Sequence, residues 1–326
     1  MISNLSDKLK TIKSFTFKLT AFLAITFSID FFVGTSLKIL YFQQKGGAEY
    51  ATDYAINKTT DDILIFGSSR ALSIYNPVIF QNSLNLSCYN AGRNGYPLFY
   101  HYAVLKANLK RHTPKLVILS FDAGNFSNNQ ESYDRLASLL PYYKNHPEIR
   151  PVIELKSSYE KLKMISSIYP YNSLIIQIIS GNTEFSKKKY PAVKGFIPYV
   201  NQIKGPLIKI DYTEETKIDS LKLAIYKSFL QLCIVRKVKV VVVCPPYMID
   251  ANGVDKSIIE GKRIAFNYNI EFFDYSNDTF YTKQPKLFYD YKHLNNNGVT
   301  IFSKKIADRI RMMDDTSEEI TTLPLK

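Results

Sequence analysis

What most constrains this chain is a set of short, almost wholly apolar runs separated by stretches of helical periodicity. Ile63, Leu64, Ile65 and Phe66 form the first run, and residues 86–90, 115–122, 238–244 and 270–273 supply the others. A strand with one wet face alternates apolar and polar side chains, whereas a strand buried on both faces reads as a continuous apolar run. Residues 77–84, 97–111, 213–236, 257–268 and 299–310 carry helical spacing between these runs. The segment 213–236 is the best of them, with acidic residues in its first turn and basic residues in its last, as the helix dipole favours. Strands and helices in alternation predict a parallel sheet covered on both faces. The expected fold is a three-layer α/β/α sandwich with a five-stranded parallel sheet in flavodoxin-like order.

The chain has 326 residues, 46% of them hydrophobic, enough for one such domain with an insertion. Residues 126–212 break the alternation. They contain short helical patterns at 136–143, 153–168 and 173–179, then a loop-like stretch at 187–205. We read them as an insertion after the third strand, the end of a sheet where lids and substrate walls are built. Residues 61–312 are thus expected as the domain, and residues 313–326 as a polar, frayed tail.

Residues 15–41 are strongly apolar, and residues 19–37 match the length of a helix that crosses a bilayer. Asp30 is the one internal charge, and it lies off-centre. Lysines are denser before this segment than just after it, which predicts a cytoplasmic N-terminus (residues 1–14) and an extracytoplasmic domain. A cleavable signal peptide and a buried soluble helix are the rival readings; no persuasive small-residue cleavage site marks the first. Residues 42–60, with the Gly46–Gly47 pair, read as a linker.

Chemistry concentrates at two places. Gly67, Ser68, Ser69 and Arg70 follow the first strand directly, and ligands of open α/β sheets sit at the carboxyl ends of strands. Alone, this is equally a strand-to-helix connection with an N-cap serine. Near the other end, Asp290 and His293 stand three apart before the last helix, as orienter and base for a serine nucleophile. Gly92, in the glycine-rich turn after the second strand, suits an oxyanion hole because no side chain screens its N–H; a plain turn glycine is the simpler reading. Asp122 ends the third strand, with Asn125 just beyond, and Arg70 and Arg93 flank the serine turn.

The formal net charge of +13 is compatible with an anionic surface, either lipid or polysaccharide, or simply with a lysine-rich solvated face. Small lysine clusters fall within residues 8–18 and 187–189, but no basic motif or phosphate-binding loop points to nucleic acid. Cys88, Cys233 and Cys244 make no disulfide framework and read as small core residues. The four histidines, His101, His112, His146 and His293, show no zinc spacing with them, so neither metal nor cofactor is expected.

Taken together, the blocks resemble the SGNH (GDSL-type) hydrolase superfamily from about residue 61 to residue 310. Gly67-Ser68-Ser69 is similar to its first block and Asn90-Ala91-Gly92 to its second. Asp290-Tyr291-Lys292-His293 is similar to its last. The resemblance implies Ser69 as nucleophile, His293 as base, Asp290 as its orienter, and the N–H groups of Ser69 and Gly92 as oxyanion donors. Its third block places an Asn after the third strand, where this chain has Asp122. Three readings follow: Asp122 pairs with Arg70 and shapes the turn, Asn125 supplies the missing donor, or the site is weak. The N-terminal anchor and the form of the first block look like membrane-attached members linked to surface-polysaccharide or cell-wall acylation. The implied function is a serine esterase or O-acyltransferase acting on acyl, chiefly acetyl, esters of a cell-surface glycan. The alternative is an inactive assembly or glycan-binding component working with a membrane-bound O-acyltransferase.

Overall fold

The structure is a computed structural model; it describes residues 2–183, 193–203, 205, 207–212 and 217–322. Five parallel strands form the central sheet: β1 (Ile63–Phe66), β2 (Cys88–Asn90), β3 (Leu116–Ser120), β5 (Lys239–Cys244) and β7 (Phe272–Asp274), in the order β2-β1-β3-β5-β7. This is the flavodoxin-like order, and every pairing is parallel. In register, Ile63 faces Leu116 across β1–β3, and Val117 faces Val240 across β3–β5.

The two faces of the sheet feed separate apolar cores. Leu64, Phe66, Val117, Leu119 and Val242 point to one, with α5 (Leu98–Asn108), α7 (Ser220–Val235) and α8 (Lys256–Asn267). Ile63, Ile65, Ile118, Val241 and Val243 point to the other, with α3 (Ser69–Ile74), α4 (Pro77–Leu84) and α9 (Asn296–Thr322). Both side-chain sets of each strand are buried, hence the uninterrupted apolar runs. The three cysteines are free and buried.

Several boundaries differ from expectation, each for a local reason. α7 begins at Ser220, later than residue 213, because Asp219 caps it by accepting from the N–H groups of Leu221 (2.9 Å) and Lys222 (3.3 Å). The expected acidic first turn is therefore not part of it, and residues 213–216 lie outside the described residues. α9 continues to Thr322, past residue 313 where a frayed tail was expected. The insertion holds single turns and 3-10 segments rather than regular helices at 136–143 and 153–168, with Pro141 inside the first. A second, two-stranded parallel sheet, β4 (Ile208–Asp211) with β6 (Ile249–Asn252), had no clear sequence signal.

The N-terminal helix α1 (Ile2–Phe42) is long and apolar enough to cross a membrane, with mean hydropathy 1.6 over its best window and 6% of that window buried. Residues 42–60 are not an extended linker. They form α2 (Gly47–Asp53) and a π-helical turn (Tyr54–Lys58), and Glu49, Thr52, Asp53, Ala55 and Ile56 are buried against the body.

Candidate active site

β1 runs into Gly67, whose φ of +140° is open to glycine but strained for other residues. A Cβ there would stand 2.8 Å from the carbonyl oxygen of Ser120. The chain turns at once into α3, so Ser69 sits at the first helical position with its N–H outside the helix ladder. On the far side of the second core, Leu287 and Phe288 anchor the chain before α9 and bring the 290–293 turn over Ser69.

There, Ser69 Oγ lies 2.8 Å from His293 Nε2. His293 Nδ1 lies 2.8 Å from Asp290 Oδ2. Asp290 also accepts from the backbone N–H groups of Lys292 and His293, each at 2.8 Å, so the carboxylate is oriented by its own turn. Burial would raise the Asp290 pKa, but the hydrogen bonds from the His293 ring and these N–H groups outweigh it and hold the group below the ordinary carboxylate value. Asp290 therefore stays ionised at neutral pH. Tyr199 stands edge-on to the His293 ring (5.3 Å between centroids) and stacks on Tyr289 (4.3 Å), walling the imidazole on one side. Nothing in the sequence singled out Tyr199.

Asp122 binds both neighbours of Ser69. Ser68 Oγ donates a short hydrogen bond to Asp122 Oδ2, and Arg70 Nη1 donates to Oδ1 at 3.1 Å. Arg70 is 2% exposed; its Nη2 donates to the Pro246 carbonyl (2.8 Å), and its guanidinium lies 3.6 Å from the centre of the Tyr247 ring. Arg70 thus shapes the site and is not free to take an anionic substrate. Asp122, where an amide donor was expected, is an acceptor committed to the serine turn.

The second block is corrected more sharply. The Gly92 N–H donates to Asn90 Oδ1 (2.9 Å), and a Cβ on Gly92 would meet the Leu72 nitrogen at 2.5 Å. Gly92 is a packing glycine, not a free oxyanion donor. The Asn90 amide donates to the carbonyls of Ala71 (2.7 Å) and Tyr75 (2.9 Å), binding the end of β2 to α3. Arg93 is also internal: it pairs with Glu49 and Thr52, donates to Tyr96 Oη (3.0 Å), and packs against the Tyr96 ring. Gly95, three residues on with φ +74°, lines the cleft beside Ser69; its N–H has no partner among the described residues. The positive φ was the signal that the sequence concealed, because every glycine of that turn reads alike.

The cleft in front of Ser69 measures about 510 Å³ and is open to solvent. Asn125 borders it, and its side chain has no hydrogen-bond partner among the described residues. Lys222, Asp255, Ile210 and Tyr212 line its far side, so β4 and α7 bound it together with the serine turn. Lys222 Nζ is held by the Ser127 carbonyl at 2.6 Å. Among the described residues, no group of three or more His, Cys, Asp or Glu is placed to hold a metal ion.

No family model matches the chain, and no curated protein matches it. Among solved structures, the chain is similar to the acetyl xylan esterase AlAXEase at 14% identity and a TM-score of 0.39. That match covers 77% of this chain and 98% of the other.

Proposed function

We propose that the protein is a serine acyl-ester hydrolase or O-acyltransferase, anchored in a membrane by α1, acting on acyl esters (acetyl foremost) of a cell-surface glycan outside the cytoplasm. The observation that carries this reading is the continuous hydrogen-bonded line from Ser69 Oγ through His293 to Asp290 at the mouth of an open cleft. A serine becomes nucleophilic when an adjacent base accepts its proton and a third group fixes the base.

In the proposed reaction, Ser69 Oγ attacks the ester carbonyl carbon as its proton passes to His293 Nε2. The charge that develops on the carbonyl oxygen is met by the N–H groups of Ser69 and Gly95, with Asn125 as side-chain donor. His293 then returns the proton to the departing alcohol oxygen, and the acyl group stays on Ser69. A second hydroxyl, from water or a sugar, gives its proton to His293 as its oxygen attacks the acyl carbon; His293 passes that proton to Ser69 Oγ as the acyl–Oγ bond breaks, which restores both residues. Water gives an esterase and a sugar gives a transferase. Asp290 stabilises the imidazolium in both halves.

The test uses the full chain in detergent with an aryl acetate and a serine-reactive fluorophosphonate, beside Ser69→Ala and His293→Ala. Turnover is expected to fall by about 10⁴-fold or more in each variant, and labelling to vanish in Ser69→Ala. A folded native protein with neither turnover nor labelling would overturn the reading. It would favour a binding or assembly role, for which the Asp122 carboxylate beside the nucleophile is the motivating feature.

A further inference from the structure

The lower part of the domain makes close contact with α1 well inside its apolar stretch. Asp30, Gly34, Leu37, Tyr41 and Phe42 are the partly or fully buried positions of its outer half, the first four in one helical stripe at i, i+4, i+7 and i+11. Asp30 Oδ1 and Oδ2 accept from Ser166 Oγ, the Ser167 N–H (2.6 Å) and the Ile168 N–H (3.3 Å). At Gly34 a Cβ would stand 2.3 Å from the Ser167 backbone, so the two chains touch there without a side chain between them. Farther out, Asn182 Nδ2 donates to the Leu40 carbonyl (2.9 Å), and the Gly181 carbonyl accepts from the Lys45 N–H (3.1 Å). A short helix α6 (Ile175–Gly181) therefore ends against the outer end of α1.

On this same part of the insertion, large apolar side chains face outward: Tyr159, Leu162, Ile165, Ile175, Ile176 and Ile179. Ile176 is 79% exposed and Ile165 is 68% exposed. So many exposed large apolar side chains within 21 residues of chain mark a contact with protein or lipid. Its position along α1 selects lipid. A spanning helix needs about 20 apolar residues. A window of about 20 residues ending at Ile29 begins at Lys10 and draws Lys10, Lys13 and Lys18 into the hydrocarbon, each at a cost. The span that avoids them runs between Lys18 and Lys38 and contains Asp30, roughly 10 Å inside Leu37 at 1.5 Å per residue. Ser166–Ile168, hydrogen-bonded to Asp30, must lie at that depth too. Amphipathic interfacial elements bury their apolar face about 5–10 Å into the headgroup–acyl boundary.

We propose that residues 159–179 form a second membrane contact. Leu162, Ile165, Ile176 and Ile179 insert beside α1 into the outer leaflet, while the insertion caps Asp30 and satisfies its charge. The occupant of the apolar face is the bilayer, not a protein. This rests on the reading of α1 as a span.

The chain contains no tryptophan, so each introduced Trp is the sole indole reporter. Full-length protein carrying Leu162→Trp, Ile176→Trp, Phe22→Trp or Phe266→Trp is reconstituted into phosphatidylcholine vesicles with acyl chains brominated near the headgroup or deeper. Phe22→Trp reports the span itself. Phe266→Trp, on the exposed face of α8 beside the edge strand β7, reports the opposite edge of the sheet from β2, whose Tyr89 packs on Tyr54 just beyond the anchor. The expected result is loss of emission for Leu162→Trp and Ile176→Trp with shallow bromines, loss also for Phe22→Trp, which lies about 6 Å inside Lys18 at 1.5 Å per residue, with shallow ones, and none for Phe266→Trp. An unquenched Phe22→Trp overturns the span and the proposal together. Quenching of Phe22→Trp with Leu162→Trp and Ile176→Trp untouched overturns the second contact alone, as a protein partner or second copy on that face would. Quenching of Phe266→Trp overturns it as non-specific.

Discussion

The Asp122 carboxylate joins the residues on either side of Ser69, so its removal tests what holds the serine turn. In Asp122→Ala, Arg70 remains 2% exposed and keeps the Pro246 carbonyl and the Tyr247 ring but has no counter-charge. Removing one partner of a buried ion pair costs about 3–5 kcal/mol. The Asp122 side chain is 14% exposed at the cleft wall, so water entering the vacated space solvates part of the charge. The Tyr247 face retains a cation–π contact worth roughly 0.5–2 kcal/mol, but the native protein has it too, so it does not offset the loss. These considerations put Asp122→Ala at the low end, about 3 kcal/mol. Against a total stability of roughly 5–15 kcal/mol, that is a large share. The expected shift in Tm is about 6–12 °C, at roughly 2–4 °C per kcal/mol for a domain of this size. Near-ultraviolet circular dichroism of the detergent-solubilised chain is the assay, since 24 tyrosines and no tryptophan report tertiary packing. Arg70→Met added to Asp122→Ala removes the stranded charge and is expected to recover at least half of the loss. Asp122→Asn keeps one acceptor and should fall between. If Asp122→Ala melts within a degree or two of the native protein, or the double variant is no better than the single one, the pair does not hold the turn.

The two glycines of the second block should separate in their response. Gly92→Ala sets a Cβ against the Leu72 nitrogen at 2.5 Å and should abolish cooperative unfolding; Gly95→Ala meets only the Arg135 guanidinium tip at 3.1 Å, at φ +74°. Gly95→Ala should therefore fold at a cost of about 1–2 kcal/mol and lose turnover far beyond that cost, which ester hydrolysis beside a melt will show. Burial pushes the buried His101 imidazole down to about 3. The unfolded chain takes up this proton below its ordinary pKa of about 6.5 while the folded one does not, so stability is full above that value. It then falls by up to about 1.4 kcal/mol per pH unit as pH drops toward the folded value. His101→Phe should flatten that limb in urea titrations between those limits, and an unchanged slope would contradict the assignment.

What the sequence disclosed and what it withheld divide along physical lines. Strands buried on both faces announce themselves as apolar runs, so Ile63–Phe66 and the order of the sheet were legible. Asp290 and His293 were legible as a pair because they share one turn. The roles of Arg93 and Gly92 were not, because each is decided by a residue distant in sequence or by local crowding: Glu49 for the first, Leu72 for the second. β4 was invisible for a similar reason. Its residues are mostly exposed and pair only with β6, so no burial pattern was imprinted on them.

The same distinction explains why residues 42–60 looked like a tether. Gly46 and Gly47 do break α1, but the chain resumes at once as α2, and its polar residues turn inward. Tyr41 Oη donates to Glu49 Oε2 (3.3 Å), Glu49 holds Arg93, and Arg93 donates to Tyr96 Oη beside Gly95 at the cleft. A flexible linker would leave such groups in water, where each ion pair is worth little. Here they are buried, and breaking one strands a charge. The end of α1 and the glycine turn that borders Ser69 therefore belong to one packed unit. Under the function proposed above, with α1 as the span, this packing holds the cleft at a set height and angle above the membrane, which suits a polymeric acyl donor or acceptor that comes to the surface better than one that the domain must reach out to find.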